Sequence, residues 1–402
     1  MNKCCCRLFQ GVMRIGMYFL PWRQPKLLIG ENAISEIPEI FLSQNITSIL
    51  LVTDKGIVEH KLHLPILEAL KNAEIKCAVY DKTVPNPTID NIEEGLQEYK
   101  NNNCHGIVAI GGGSAMDCAK GIGARVVRPN KSITQMRGLL KVHKKLPLLV
   151  AVPTTAGTGS ETTVAAVITD SKTHEKYALN DPSLIPHYAV LDPTLNVSLP
   201  PMLTASTGMD ALTHAVEAYI GKGNTRATKK EAIEAVQLIF DNLPKAVANG
   251  SDIQARENMQ KASFLAGLAF TRAYVGNVHA VAHTLGGQYG TPHGLANAII
   301  LPYVLDYYGK SIYKKINDLC IKAGLFLNAK TPEERTQKFI QQIRKMNTSF
   351  GIGTKIEALK VEDIPLLCER ADREANPLYP VPVIFTKQDF TNIFNMILVA
   401  KK

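Results

Sequence analysis

At 402 residues, with 46% hydrophobic and 20% charged side chains, the chain is long enough for two full-sized cores and has the balance of an ordinary globular protein. No apolar run reaches the roughly 18 residues that a membrane-spanning helix needs, so no membrane partner is expected. The formal charge of +9 is spread along the chain and only 6% of residues are aromatic, which argues against nucleic acid as a partner and suits a small anionic cofactor.

The eight cysteines form no CxxC pair and no secretory apolar stretch is present, a pattern that predicts free thiols in a reducing, cytoplasmic compartment. Residues 1–25 hold Cys4-Cys5-Cys6 and basic side chains, with no acid before Glu31. They read as a disordered N-terminal extension, with an organelle address or a lipidation site as the alternative. From 26 to 200, short β-branched runs alternate with amphipathic stretches. Strands are expected at 26–29, 48–53, 75–80, 106–110, 147–152, 164–169 and 188–191, and helices at 55–72, 89–101 and from Ala115 onward. This alternation calls for an α/β, Rossmann-like domain whose parallel sheet is covered on both faces. An edge strand at 26–29 could pair with a second subunit, so a homodimer is expected. Pro193, Pro200 and Pro201 mark a seam, because each lacks a backbone donor and disfavours helix in the residue before it. Residues 201–402 then carry long helical patterns at 209–220, 229–243, 255–274 and 312–326, with almost no strand signal. An all-helical second domain follows, and the chemistry is expected between the two.

Four loops of the first half have ligand-binding character. Gly111-Gly112-Gly113-Ser114 joins a strand to a helix, where backbone N–H groups can approach a pyrophosphate at the positive end of the helix. Ser114 with Asp117 also fits a capping box that merely starts the helix. Pro153-Thr154-Thr155-Ala156-Gly157-Thr158-Gly159-Ser160-Glu161 brings hydroxyls to the carboxyl end of the next strand. Asn86, in Pro85-Asn86-Pro87, can offer its amide to a ribose or nicotinamide. Asp54 ends the strand at 48–53, where it can accept from a ribose diol or simply cap the next helix.

In the second half, Asp210 and His214 are four apart, as are His279 and His283, so each pair lies on one helix face. His293 comes on what reads as a tight turn, Thr291-Pro292-His293-Gly294. One carboxylate with imidazoles and no thiolate suits Fe²⁺ or Zn²⁺. Five candidates compete for what is usually a four-ligand shell, so one of them has another task.

Four segments in this order carry a more specific signal: Gly-Gly-Gly-Ser-x-x-Asp at 111–117, Pro-Thr-Thr-x-Gly-Thr-Gly-Ser-Glu at 153–161, Gly-Met-Asp-Ala-Leu-Thr-His-Ala-x-Glu at 208–217, and His-x-x-x-His-x-Leu-Gly with Thr-Pro-His-Gly-x-x-Asn-Ala at 279–298. Together they resemble the iron-containing, group III alcohol dehydrogenases from Lys26 to the C-terminus. The resemblance implies a nicotinamide-binding α/β domain and an all-helical metal domain, the architecture shared with dehydroquinate synthase. It implies Asp210, His214, His279 and His293 as metal ligands and His283 beside nicotinamide and substrate. It also implies Gly112, Gly113 and Ser114 on the pyrophosphate, Thr154, Thr155 and Thr158 near the nicotinamide, and Asn86 and Lys176 on further cofactor atoms. Ala115 departs from the pattern, since many relatives carry Pro there. The implied activity is hydride transfer between NAD(H) and a small primary alcohol or diol and its aldehyde, with Fe²⁺ or Zn²⁺ as Lewis acid. A glycerol-dehydrogenase-like or dehydroquinate-synthase-like enzyme on the same frame is the alternative.

Overall fold

The computed structural model describes residues 3–171 and 175–399. The chain divides into two compact units, Pro21–Ser198 and Met1–Leu20 together with Leu199–Lys402.

Among the described residues of the first of these, nine strands are formed: β1 (Lys26–Ile29), β2 (Ser48–Val52), β3 (Lys76–Tyr80), β4 (Gly106–Gly111), β5 (Gly138–Leu139), β6 (Leu148–Pro153), β7 (Ala165–Thr169), β8 (Lys176–Asn180) and β9 (Tyr188–Leu191). Six of them make one sheet in the order β1-β9-β6-β4-β2-β3, and every pairing in it is parallel. The central strands are continuous apolar runs because both faces are covered: all six residues of β4 are buried, as are the last five of β6. The strand order reverses between β2 and β4. In parallel α/β sheets the crevice outside such a switch point is where ligands bind.

Two expectations for this unit need correction. The strand expected at 164–169 forms as β7, but it leaves the parallel sheet and pairs antiparallel with β8 in a separate sheet ordered β5-β8-β7. β7 and β8 are separated by six residues, a connection long enough for a hairpin and too short for a parallel crossover. The helix expected at 55–72 is two, Lys55–Glu59 and Leu64–Asn72. Lys61 adopts a positive φ of 59°, and Pro65 sits in the first turn of the second helix, where its missing N–H is harmless.

The other unit is built round the Pro201–Ile220 helix. From Gly208 to Ile220 each residue of it is buried, so it lacks a polar stripe and behaves as a core helix. It packs against the Arg226–Ala248, Ile253–Ala273 and His293–Tyr308 helices, and the last of these also packs against Asn277–Tyr289. The Ile364–Ala375 helix covers Asn277–Tyr289 in turn. His293 was expected on a turn; it is the first residue of a helix whose preceding Pro292 supplies an extended entry. The segment 1–25 was expected to be disordered, yet Lys3–Tyr18 is a helix lying on this unit. Hydrogen bonds from Arg7 and Gln10 to carbonyls between Pro377 and Pro382 hold it there.

Candidate metal centre and cofactor cradle

Asp210 and His214 project from the core helix, His279 from Asn277–Tyr289 and His293 from the start of His293–Tyr308. One ligand atom from each of the four lies within 4.8 Å of the others. Asp210, His214 and His279 are buried and His293 is half-buried. The approach of His293 depends on Gly294: a Cβ there would run into the Ser206 carbonyl oxygen on the core helix. A side-chain-free residue therefore lets the two helices close until His293 Nε2 stands 3.5 Å from Asp210 Oδ1.

A buried carboxylate, Glu217, sets the orientation of His279. Glu217 accepts from the N–H groups of Gly276 and Val278, both at 2.9 Å, and from His279 Nδ1 at 2.6 Å. With its Nδ1 proton committed to Glu217, His279 presents the Nε2 lone pair to the cluster. Burial, reinforced by the three other histidines, pushes His279 well below its ordinary range and keeps it in the neutral form that ligates. Burial raises the Asp210 carboxyl, and it raises Glu217 to about 7 against the pull of three donors.

The donor set fits a divalent cation. Asn297 Nδ2 donates to Asp210 Oδ1 at 2.7 Å and meets His279 Nε2 and His293 Nε2 at 3.1 Å each. The lone pairs of three buried or half-buried groups thus converge on one weakly positive amide, whose own Oδ1 is buried with no hydrogen-bond partner. A cation would satisfy those lone pairs far better than an amide N–H does.

His283 stands apart from this set. Its Nδ1 lies 2.6 Å from Glu374 Oε1, which also accepts from the Tyr379 hydroxyl at 2.8 Å. The ring is stacked 5.1 Å from His293 and is partly exposed. With Nδ1 facing Glu374, Nε2 is the ring's remaining nitrogen for another contact.

In the α/β unit, the residues singled out from the sequence collect at the switch point. Asp54 follows β2, and Gly111-Gly112-Gly113 runs from the last residue of β4 to the first of the Gly113–Val127 helix. Gly112 is the residue before the Gly113–Val127 helix, and no side chain caps that helix start. The expected Ser114–Asp117 capping box is not formed. Ser114 Oγ instead accepts the Asn86 N–H at 3.1 Å, and Asp117 turns to Ser160 Oγ and the Val167 N–H. The first turn of the helix keeps its N–H groups for another acceptor, as an anion site requires. A Cβ on Gly113 would meet Thr158 Cγ2 at 3.1 Å, and one on Gly112 would meet the Thr155 side chain at 3.7 Å. Thr155 Oγ1 is a buried hydroxyl with no hydrogen-bond partner. Thr154 is buried and its N–H bonds to the Gly111 carbonyl, which ties the hydroxyl loop to the glycine turn. Lys176 pairs with Thr169, whose N–H bonds to the Pro87 carbonyl beside Asn86, and burial lowers its ammonium pKa. Asp54 does cap a helix: Oδ1 accepts the Ile57 N–H at 3.1 Å, while Oδ2 would lie 3.2 Å from a Cβ on Gly111. Capping and contact with the glycine turn therefore coexist in one carboxylate.

The roles of Glu217, Asn297 and Glu374 were not read from the sequence. Glu217 lies seven residues after Asp210 and Asn297 four after His293, both helical spacings that place them on the ligand faces. Glu374 lies 91 residues from His283, and no local pattern connects the two.

Residues 24–193 match the model of the iron-containing alcohol dehydrogenase family, and residues 204–398 match that of the C-terminal domain of the Fe-containing alcohol dehydrogenase family. Among curated relatives, 1,3-propanediol dehydrogenase of Klebsiella pneumoniae is 40% identical over 356 residues, covering 86% of this chain and 90% of the relative. The NAD-dependent methanol dehydrogenase of Bacillus methanolicus is 36% identical over 378 residues, covering 94% and 98%. Among solved structures, a 1,3-propanediol oxidoreductase superposes with a TM-score of 0.90 at 37% identity, covering 94% of this chain and all of that one. With the two family models spanning both units and the Asp/His cluster and the glycine turn falling within their respective matches, the chain belongs to the iron-containing alcohol dehydrogenase family.

Proposed function

We propose that the protein is a metal-dependent oxidoreductase that transfers a hydride between NAD(H) and a small primary alcohol or diol and its aldehyde. The observation that carries this reading is the buried Asp210, His214, His279, His293 cluster, in a chain whose α/β unit gathers a glycine turn and hydroxyl loop at the sheet's switch point. Fe²⁺ is the first candidate and Zn²⁺ the second, since the ligands are oxygen and imidazole without thiolate. When bound, the ion supplies Lewis acidity toward the substrate oxygen and NAD(H) supplies the hydride carrier.

The chain's own residues have distinct tasks in this reading. Asp210 and the three histidines hold the ion, and Glu217 keeps His279 in the ligating tautomer. His283, with Nδ1 committed to Glu374, receives or returns the alcohol proton at Nε2. Gly112, Gly113 and Ser114 hold the pyrophosphate, Thr154, Thr155 and Thr158 the nicotinamide side, and Asn86 and Lys176 further cofactor atoms. Asp54 meets the adenine ribose and so favours NAD(H) over its 2′-phosphorylated form. A homodimer is supported by β1, a four-residue strand at the sheet edge. A cytoplasmic setting is supported by eight free cysteines; among the described residues, no helix is long and apolar enough to cross a membrane.

The test is a panel of short aldehydes and alcohols with NADH or NAD⁺, run on protein reconstituted separately with Fe²⁺ and with Zn²⁺. Metal-dependent NADH oxidation by at least one short aldehyde is expected. Undiminished turnover in chelator-treated protein, or no turnover with any member of the panel, would overturn the proposal.

A further inference from the structure

The Lys3–Tyr18 helix precedes residue 24, where the match to the family models begins, and the proposed reaction gives it no task. The side chains that tie it down are polar. Gln10 is buried, and its Nε2 donates to the Pro377 carbonyl at 3.0 Å and the Tyr379 carbonyl at 2.8 Å. Arg7 donates to the Val381 carbonyl at 2.8 Å and the Pro382 carbonyl at 3.0 Å. Two side chains thus hold four of the six carbonyls between 377 and 382. That segment forms neither helix nor strand, and Pro377, Pro380 and Pro382 bring no N–H to it, so it cannot build a hydrogen-bond ladder of its own. Donors from other elements must fix its course, and the helix supplies them at four positions.

The course of this segment matters because of Tyr379. Its side chain is buried, and its hydroxyl donates to Glu374 Oε1 at 2.8 Å, the same oxygen that stands 2.6 Å from His283 Nδ1. Burial pushes the phenol well above its ordinary range, so it stays protonated and remains a donor. One carboxylate oxygen carries both contacts, and a displaced Tyr379 releases the oxygen that orients the imidazole. The carbonyl held by Gln10 belongs to Tyr379 itself, so a path runs from Gln10 through Tyr379 and Glu374 to His283 with a polar contact at each step. We infer, on the role proposed above for His283, that the Lys3–Tyr18 helix is a positioning element of the active site: by clamping residues 377–382 it fixes Tyr379 and Glu374, and through them the His283 ring.

The test uses full-length, metal-loaded protein as wild type, as Arg7→Ala/Gln10→Ala, as Tyr379→Phe and with all three substitutions together. Hydrogen–deuterium exchange read by mass spectrometry should be faster in peptides spanning 374–386 once Arg7 and Gln10 are replaced, and unchanged in the Pro201–Ile220 helix. The single-turnover rate of aldehyde reduction at saturating NADH should fall about tenfold in the double variant, short of the roughly 10²–10⁴ expected for loss of His283 itself. Metal content and NADH affinity should stay at wild-type values. Because helix and tyrosine act along one path, the triple variant should be within about twofold of its slower parent. Should the double variant not fold, Gln10→Glu, which keeps the side chain's size and removes its donors, carries the same expectations. Unchanged exchange at 374–386, or a wild-type rate in the double variant, would overturn the inference. Metal or NADH affinity lost in step with the rate would also overturn it, by making the helix a support of the fold at large, as would rate losses that multiply in the triple variant. A wild type inactive on every aldehyde would instead remove the proposed function, and the exchange comparison would still decide whether the helix clamps the segment.

Discussion

Glu217→Gln isolates the support of the metal ligands from the ligands themselves. The carboxylate meets three donors, the Gly276 and Val278 N–H groups and His279 Nδ1, and glutamine has only one acceptor oxygen to offer them. If that oxygen serves Gly276 and His279, the new NH₂ faces the Val278 N–H in a buried site. Such a pairing costs about 1–3 kcal/mol of stability. If the amide is turned the other way, its NH₂ faces His279 Nδ1 and favours the tautomer protonated at Nε2, the nitrogen that should bind the ion. Loss of such orienting partners typically weakens metal binding about 10- to 100-fold, or about 1.4–2.8 kcal/mol. Chelator competition measures the affinity and calorimetry the stability. Because Glu217 touches no reacting atom in the proposed mechanism, turnover at saturating metal should recover to within several-fold of wild type. Wild-type affinity and melting in the variant would refute the assignment of Glu217 as the support of His279. The same variant carries a pH signature in metal-stripped protein. Burial raises the Glu217 carboxyl from 4.5 to about 7, so the fold favours the protonated form. Its stabilising contribution is complete below about 4.5 and is lost as pH rises through about 7. Glutamine cannot ionise, so the difference in melting temperature between variant and wild type should change across that window; a constant difference would show that Glu217 does not titrate there.

Other outcomes follow from the same geometry. His279→Ala should remove most bound metal while leaving the helices packed, measured by metal analysis alongside circular dichroism. His283→Ala should keep metal stoichiometry but lower turnover by about 10²–10⁴, as expected of a lost general base; metal loss equal to that of His279→Ala would place it among the ligands instead. Gly294→Ala should destabilise by about 1–3 kcal/mol and release metal, because a Cβ cannot fit against the Ser206 carbonyl; normal metal content would show that the helices can separate without moving His293. Asp54→Asn keeps the acceptor that caps Ile57 but removes the charge, so stability should hold while the NADPH to NADH ratio of kcat/KM rises about tenfold. An unchanged ratio would leave Asp54 a cap and nothing more.

Local sequence was sufficient where the determinant is itself local. The i, i+4 spacing that puts Asp210 and His214 on one helix face, the apolar runs of β2, β4 and β6, and the glycines ending β4 are all properties of a few consecutive residues. Periodicity alone could not decide what depends on partners far along the chain. It treated β7 as one more strand of the main sheet, because an apolar strand looks alike in a parallel ladder and in a separate hairpin. It read Ser114 and Asp117 as a cap, although Asn86, Ser160 and Val167 claim those side chains in the fold. It placed His293 on a turn, where packing against the core helix and the gap left by Gly294 start a helix. It took the first residues for disorder, since a short helix without acidic residues gains its stability from the 377–382 carbonyls rather than from itself. The sequence by itself determined which residue types are available to bind a cation and a dinucleotide. Tertiary structure brings Asp210, His214, His279 and His293 into one cluster, the set the resemblance implied, and pairs His283 with Glu374, a partner that spacing could not show because it lies 91 residues away.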